Sequence, residues 1–147
     1  MSQTTFSGPL ASGDREAGEA GGPNLGFAAL SQTKLINFDA TLVQNATFNI
    51  PAGSQIVDFY VDALTAYDSV TSALVSAGTA TGGTQYLSAV SAKTAGRRPN
   101  AFSAAQLAAM ANVGTNRAVV ATVTSVGEPT TGQVRVTMLY VQTTADD

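Results

Sequence analysis

The chain has 147 residues, enough for one domain with a packed core, and its 7 Lys+Arg and 10 Asp+Glu give a net charge of −3. It has no His and no Cys, which excludes the usual general base near neutral pH, the commonest metal ligand, thiol nucleophiles and disulfides. The basic residues are scattered, with Arg97-Arg98 the only adjacent pair, so neither a nucleic acid nor an anionic membrane is an expected partner.

Residues 1–26 differ in composition from the rest of the chain, because they hold six of the 14 Gly and two of the five Pro. Such a segment buries too little apolar surface to fold alone, so we expect an extended N-terminal arm. Phe6 and Leu10 are expected to anchor this arm on a neighbouring subunit or another protein. Residues 1–5 lack the basic start and apolar run of a signal peptide, which predicts a chain that begins near Met1 and folds in a cytoplasm.

From Phe27 onward, short segments that favour strands are separated by Gly, Ser and Thr turns, so residues 27–147 are expected to form one β domain. The predicted strands are Phe27–Asn37, Thr41–Asn49, Gln55–Leu64, Ser72–Ala77, Thr84–Ala92, Arg117–Val126 and Gln133–Thr143. Ser103–Ala111 interrupts this series, since it combines an N-capping Ser with a run of helix formers, and it predicts one short helix.

Three polar segments between these elements are predicted to be turns. Pro51–Ser54 has the composition of a tight turn, while 78–83 favours a loop or hairpin and 127–132 favours a hairpin loop joining the last two strands. Alternation also predicts which side chains share one face in three of the strands, of which Gln55–Leu64 is the clearest. These are Val57, Phe59, Val61 and Ala63, then Val119, Ala121 and Val123, and finally Val134, Val136, Met138 and Tyr140.

The order of these elements predicts the fold class. About seven or eight short strands follow one another at fairly regular spacing and are rich in Val, Ile and Thr. Because no helix separates successive strands, a parallel βαβ sheet is not expected. The prediction is an all-β fold, an antiparallel β-sandwich or jelly-roll-like barrel with one short helix and an N-terminal arm.

Asp58 and Asp62 are the strongest candidates for chemistry, since they share one strand face with Tyr60 between them. Two carboxylates suit a Ca²⁺ ion, with Asp68 as a further ligand, or acid–base work on a sugar. Their four-residue separation corresponds to about 13 Å along a strand, which is too far for both to hold one ion unaided. A solvated or subunit-facing strand explains the pattern without any site, so we expect no catalytic residue, no metal and no cofactor.

Arg97 and Arg98 are the candidate polar contacts, because a guanidinium pairs in a bidentate manner with carboxylates across interfaces. An exposed loop or a local salt bridge is the alternative for this pair. The abundant Ser and Thr have no base at a suggestive spacing, and the chain contains none of the common nucleotide-binding or serine-hydrolase motifs. These features favour a binding protein over an enzyme.

Several blocks between residues 47 and 142 carry a family resemblance. The first is Ile50–Gly53, which is followed by Ile56-Val57-Asp58 and Val61-Asp62. A later small-residue strand contains Gly, and the last block runs from Val134 to Gln142. These blocks resemble the decoration, or cement, proteins of tailed-bacteriophage heads, and the arm lies outside this resemblance.

The resemblance implies a β-sandwich, often trimeric, that sits on the outside of a virion capsid and stabilises contacts between major capsid subunits after synthesis in the host cytoplasm. The arm would add a strand to a neighbouring edge. Charged residues make up only 12% of the chain, against about 25% in an average domain. Either the protein tolerates a Ser/Thr/Gly surface or it hides surface against neighbours, and the second fits this role.

Three other functions stay open at this point. One is a different part of the same particle, such as a head fibre or a tail protein. Another is a carbohydrate-binding β-sandwich, which the absence of Trp disfavours. The last is a small hydrolase that uses Asp58 and Asp62.

Overall fold

Apolar and polar side chains alternate along most strands, and two antiparallel sheets bury their apolar sides against each other. The structure is a computed structural model, and it describes residues 11–12, 26–27 and 29–142. It confirms the predicted all-β sandwich with one short helix. Within the described residues, no helix has the length and apolar character needed to span a bilayer.

The strands and the helix of the described residues have the following bounds. They are β1 (Ala11–Ser12), β2 (Gly26–Phe27), β3 (Ala29–Asn37), β4 (Val43–Asn49), β5 (Gln55–Thr65), β6 (Ser72–Gly78), β7 (Leu87–Ser91), β8 (Gly96–Arg98), α1 (Ala104–Ala111), β9 (Ala118–Val126) and β10 (Gln133–Val141). Sheet I has the strand order β3-β10-β5-β8, and sheet II has the order β4-β9-β6-β7. β1 and β2 form a separate antiparallel pair.

The chain passes repeatedly from one sheet to the other. β3, β5, β8 and β10 belong to sheet I, and the strands between them belong to sheet II. The predicted hairpin at 127–132 is therefore wrong, because this loop crosses from β9 in sheet II to β10 in sheet I. The alternative of a hairpin at 78–83 is confirmed, since β6 and β7 pair in an antiparallel manner.

The core lies between the two sheets and follows the predicted alternation in most strands. Its largest fully buried side chains include Phe48, Phe59, Tyr67, Leu87 and Met138. The side chains predicted to share one face of β9, and those predicted to share one face of β10, are all buried. Val57 is the exception, since it is 46% exposed whereas the preceding Ile56 is 2% exposed.

The wrong prediction for Val57 has a physical cause in the pairing of β5 with β10. Leu139 pairs with Asp58, but the next residue, Tyr140, pairs with Ile56, so β5 holds one extra residue in a β-bulge. A bulge reverses the alternation on one side of it. Ile56 therefore points into the core, and Val57 lies outside it.

Local signals explain the predicted turn and helix. Ser54 donates hydrogen bonds from both its amide and its hydroxyl to the carbonyl of Pro51, and Gly53 has a φ of 75°, as a tight turn requires. Ser103 and Gln106 form a capping box, which fixes the start of α1. The three-residue strand β8 was not predicted, because Arg97, Arg98 and their neighbours read as a loop in the sequence.

Candidate interaction surface

Four loops meet at one end of the sandwich because of the strand register. One of them is 92–95, whose Ala92 carbonyl accepts a hydrogen bond from the Tyr67 amide, and the other three carry the features described below. In sheet I, the last residues of β3 and β5 both pair with Gln133, the first residue of β10. In sheet II, the first residue of β6 pairs with Val126, the last residue of β9. The loops that leave these strand ends are 38–42, 66–71 and 127–132. We call these loops and the adjoining ends of their strands the loop end.

Exposed large apolar side chains are concentrated at the loop end. Among the described residues, eight of the ten belong to it, and the two exceptions are Val57 and Leu107. The eight are Leu35, Phe38, Leu42, Val43, Leu64, Val70, Leu74 and Val126. Val70 is the most exposed of them, at 84%. Leu35 and Leu74 lie two residues inside their strands, on the outer faces of opposite sheets, whereas the other six lie in the loops or at the strand ends. Apolar exposure concentrated in this way, rather than scattered singly, is typical of a surface that binds a partner.

The loops at this end are held to one another by hydrogen bonds. Asp68 in one loop accepts bonds from the backbone amides of Thr130 and Thr131 in another, at 2.7 and 3.1 Å, and from the Thr130 hydroxyl. The Thr130 hydroxyl, aided by the two amides, lowers the pKa of Asp68 to about 2. The third loop joins through the Phe38 amide, which donates to the carbonyl of Gly132 at 2.9 Å. The loop end is thus pre-organised, which lowers the entropic cost of binding.

A row of charged side chains crosses the outer face of sheet I beside the loop end. Asp62 on β5 lies opposite Arg97 on the edge strand β8 and opposite Arg135 on the central strand β10. Arg97 donates from Nε and Nη2 to Oδ1 and Oδ2 of Asp62, at 2.7 and 3.0 Å. Arg135 donates from Nε and Nη2 to Oδ2, at 3.2 and 2.8 Å. We call these three residues the arginine row.

The arginine row is partly open to solvent. The side chain of Asp62 is only 8% exposed, whereas those of Arg97 and Arg135 are 62% and 45% exposed. The hydrogen bonds from Arg97 lower the pKa of Asp62 to about 2, with help from Arg135 and against the effect of burial. The same pairing raises the pKa of Arg97 above its usual value. Arg97 also lies over the ring of Tyr60, 4.7 Å from its centroid, which fixes the guanidinium on the sheet.

The structure separates the predicted site residues. Asp58, Tyr60 and Asp62 share the outer face of β5, as predicted, but Asp62 is committed to two arginines while Asp58 accepts a bond from the Phe59 amide. The described residues contain no group of three or more His, Cys, Asp or Glu placed to hold a metal ion. Asp68 lies in loop 66–71, where it accepts a hydrogen bond from the Thr130 amide of loop 127–132.

Arg97 and Arg98 do not form one basic patch, because successive residues of a strand point to opposite faces. Arg97 lies in the arginine row, which realises the local salt bridge that was one of its two expected roles, and Arg98 pairs in register with the buried Val61. Phe6 and Leu10 lie outside the described residues. Arg135 was missed by sequence reasoning. The available signal was its place on the polar side of a clearly alternating strand, opposite the inward valines.

Comparison with known proteins found no relative of this chain. No protein-family model matches the chain, and neither a curated protein nor a solved structure matches it. The surface of the molecule is therefore the source of its functional assignment.

Proposed function

We propose that this chain is a non-enzymatic structural protein of a phage particle, which binds the outside of the capsid and stabilises contacts between major capsid subunits. Its partners would be the major capsid protein and further copies of itself, with a trimer as the expected oligomer. Several weak contacts made by one oligomer add up to high avidity.

The observation that carries this proposal is the apolar loop end. A binding protein needs a rigid surface whose exposure to water is unfavourable, and the loop end combines exposed apolar side chains with interlocked loops. Asp68 and Asp39 accept hydrogen bonds from threonines of these loops, which helps to fix the loop conformations. The low charge content of the chain fits the same role, since a surface covered by neighbours needs few charges.

Cosedimentation with empty heads built from the major capsid protein of the same particle tests the proposal. The wild-type chain is expected to saturate the heads. The variant Val70→Ser, which removes the most exposed apolar side chain of the loop end, is expected to bind at least roughly ten-fold more weakly per oligomer, because small losses multiply over several contacts.

Leu107→Ser is the matched control, because Leu107 is also an exposed apolar residue but lies on α1, away from the loop end. It is expected to bind heads like the wild type. Wild-type protein that does not bind heads at all would refute the proposed function. Equal weakening by both variants would show that the loop end is not the docking surface.

A further inference from the structure

The arginine row carries more positive charge than its own carboxylate can balance. Two guanidiniums share Asp62, which leaves a surplus of one positive charge on the outer face of sheet I. The other carboxylate on this face of β5, Asp58, is four residues away, about 13 Å along the strand. That separation exceeds the Debye length of about 8–10 Å at moderate salt, so Asp58 does not neutralise the surplus.

The two guanidiniums also keep free donors in a fixed arrangement. A guanidinium has five N–H groups, and Arg97 and Arg135 each use one from Nε and one from Nη2 on Asp62. Both Nη2 atoms hydrogen-bond to the same Oδ2, so the two guanidiniums meet at one carboxylate oxygen, and each keeps three further N–H groups. The salt bridges and the Tyr60 ring hold these donors in place before any ligand arrives.

Apolar side chains border the row. Leu35 pairs directly with Arg135 across β3 and β10, and Leu64 follows Asp62 by two residues on β5. Both leucines are exposed and belong to the loop end, so the row is continuous with the apolar surface. Arginine and aromatic side chains next to apolar contacts are the composition of an energetic hot spot in protein–protein interfaces.

We propose that the arginine row receives an aspartate or glutamate side chain of the partner protein, whose carboxylate bridges Arg97 and Arg135 while apolar neighbours of that acidic residue pack on Leu35 and Leu64. A nucleic acid is not the expected partner for this site, because the chain as a whole carries a net charge of −3. The leucines also have no charge or hydrogen-bond donor with which to contact a phosphate. This inference deepens the proposed function and rests on it only for the identity of the partner.

Titration with the peptide acetyl-Leu-Glu-Leu-amide, followed by NMR of the arginine Nε–Hε signals, tests the site in the full chain. The chain has five arginines, so these signals form a small set that substitution can assign. We expect the signals of Arg97 and Arg135 to shift, with binding that weakens as salt is raised. The isosteric peptide acetyl-Leu-Gln-Leu-amide lacks the charge, so its affinity is expected to be lower by a factor of at least roughly five.

Arg135→Gln is the decisive variant, because it removes the surplus charge and leaves the bidentate Arg97–Asp62 pair in place. It is expected to abolish the preference for the Glu peptide. Arg117→Gln is the matched control, since Arg117 is an exposed arginine just before β9 that takes no part in the row, and it is expected to keep the preference. Backbone amide spectra of each variant check that the sandwich is intact.

Three results would overturn the inference. The first is an equal response of the wild-type signals to the Glu and Gln peptides, and the second is an undiminished preference in Arg135→Gln. The third is a loss of oligomeric mass by light scattering in Arg135→Gln, which would assign the row to contacts between copies of this chain. A chain that binds heads but ignores the Glu peptide overturns this inference alone, whereas a chain that prefers the Glu peptide but binds no heads overturns the proposed function alone.

Discussion

Replacing Asp62 with Asn tests how much the arginine row stabilises the fold. The two arginines lower the pKa of Asp62 from 3.8 to about 2. At about 1.4 kcal/mol for each pKa unit, this difference corresponds to roughly 2.4 kcal/mol of folding free energy. Solvent screens the half-exposed guanidiniums, so the expected loss in Asp62→Asn at pH 7 is about 1–2 kcal/mol.

The stability lost in the same variant is also expected to depend on pH. The folded state lowers the pKa of Asp62, so the stabilisation is present above pH 3.8 and is lost as pH falls towards 2. Urea unfolding between pH 7 and pH 2 should therefore show the two proteins converging in this window. Asp58→Asn is the control, since it makes the same change on the same face of β5 without an arginine partner. A constant difference between wild type and Asp62→Asn down to pH 2, or an equal loss in Asp58→Asn, would refute the argument.

Two further predictions concern Tyr67, whose ring is buried beneath the loop end. Gly132→Ala would place a Cβ 2.5 Å from this ring, so it is expected to cost about 3 kcal/mol of unfolding free energy. Gly82→Ala, which meets nothing within 4 Å, should cost only the roughly 1 kcal/mol of its positive φ, and equal losses in chemical denaturation would contradict this. Burial raises the pKa of Tyr67 from 10.0 to about 12, so stability is expected to be full below pH 10 and to fall as pH rises towards 12. Tyr67→Phe should flatten that fall, and an alkaline unfolding curve that Tyr67→Phe does not alter would disprove the assignment.

Alternation in the sequence was enough to predict the fold class and most of the core, because each inward position in β9 and β10 depends only on its own strand. It failed where the outcome depends on a second strand. The bulge that exposes Val57 arises from the offset between β5 and β10, and β5 alone carries no sign of it. The loop 127–132 has glycines at both ends, which suits a hairpin and a crossing between sheets equally well. Only the assignment of β9 and β10 to different sheets decides between them.

The arginine row shows the same limit for a site. Arg97 and Asp62 were both noticed in the sequence, but as members of two separate candidates. They meet because β8 pairs with β5 in a register that places them opposite each other, and Arg135 joins them through the pairing of β10 with β5. Arg97 is 35 positions and Arg135 is 73 positions from Asp62 along the chain, so no local spacing links them. Long-range register is the information that was missing.

The distribution of exposed apolar side chains bears on the two explanations of the low charge content. If the chain merely tolerated a Ser/Thr/Gly surface, its exposed large apolar residues would be scattered singly over both sheets and the helix, as they are on most proteins. Instead, among the described residues, all but Val57 and Leu107 gather at the loop end. Hydrogen bonds from threonines to Asp39 and Asp68 hold the loops of this end in place. Covering these apolar side chains would remove them from water, and this favours association with a neighbour over a monomer.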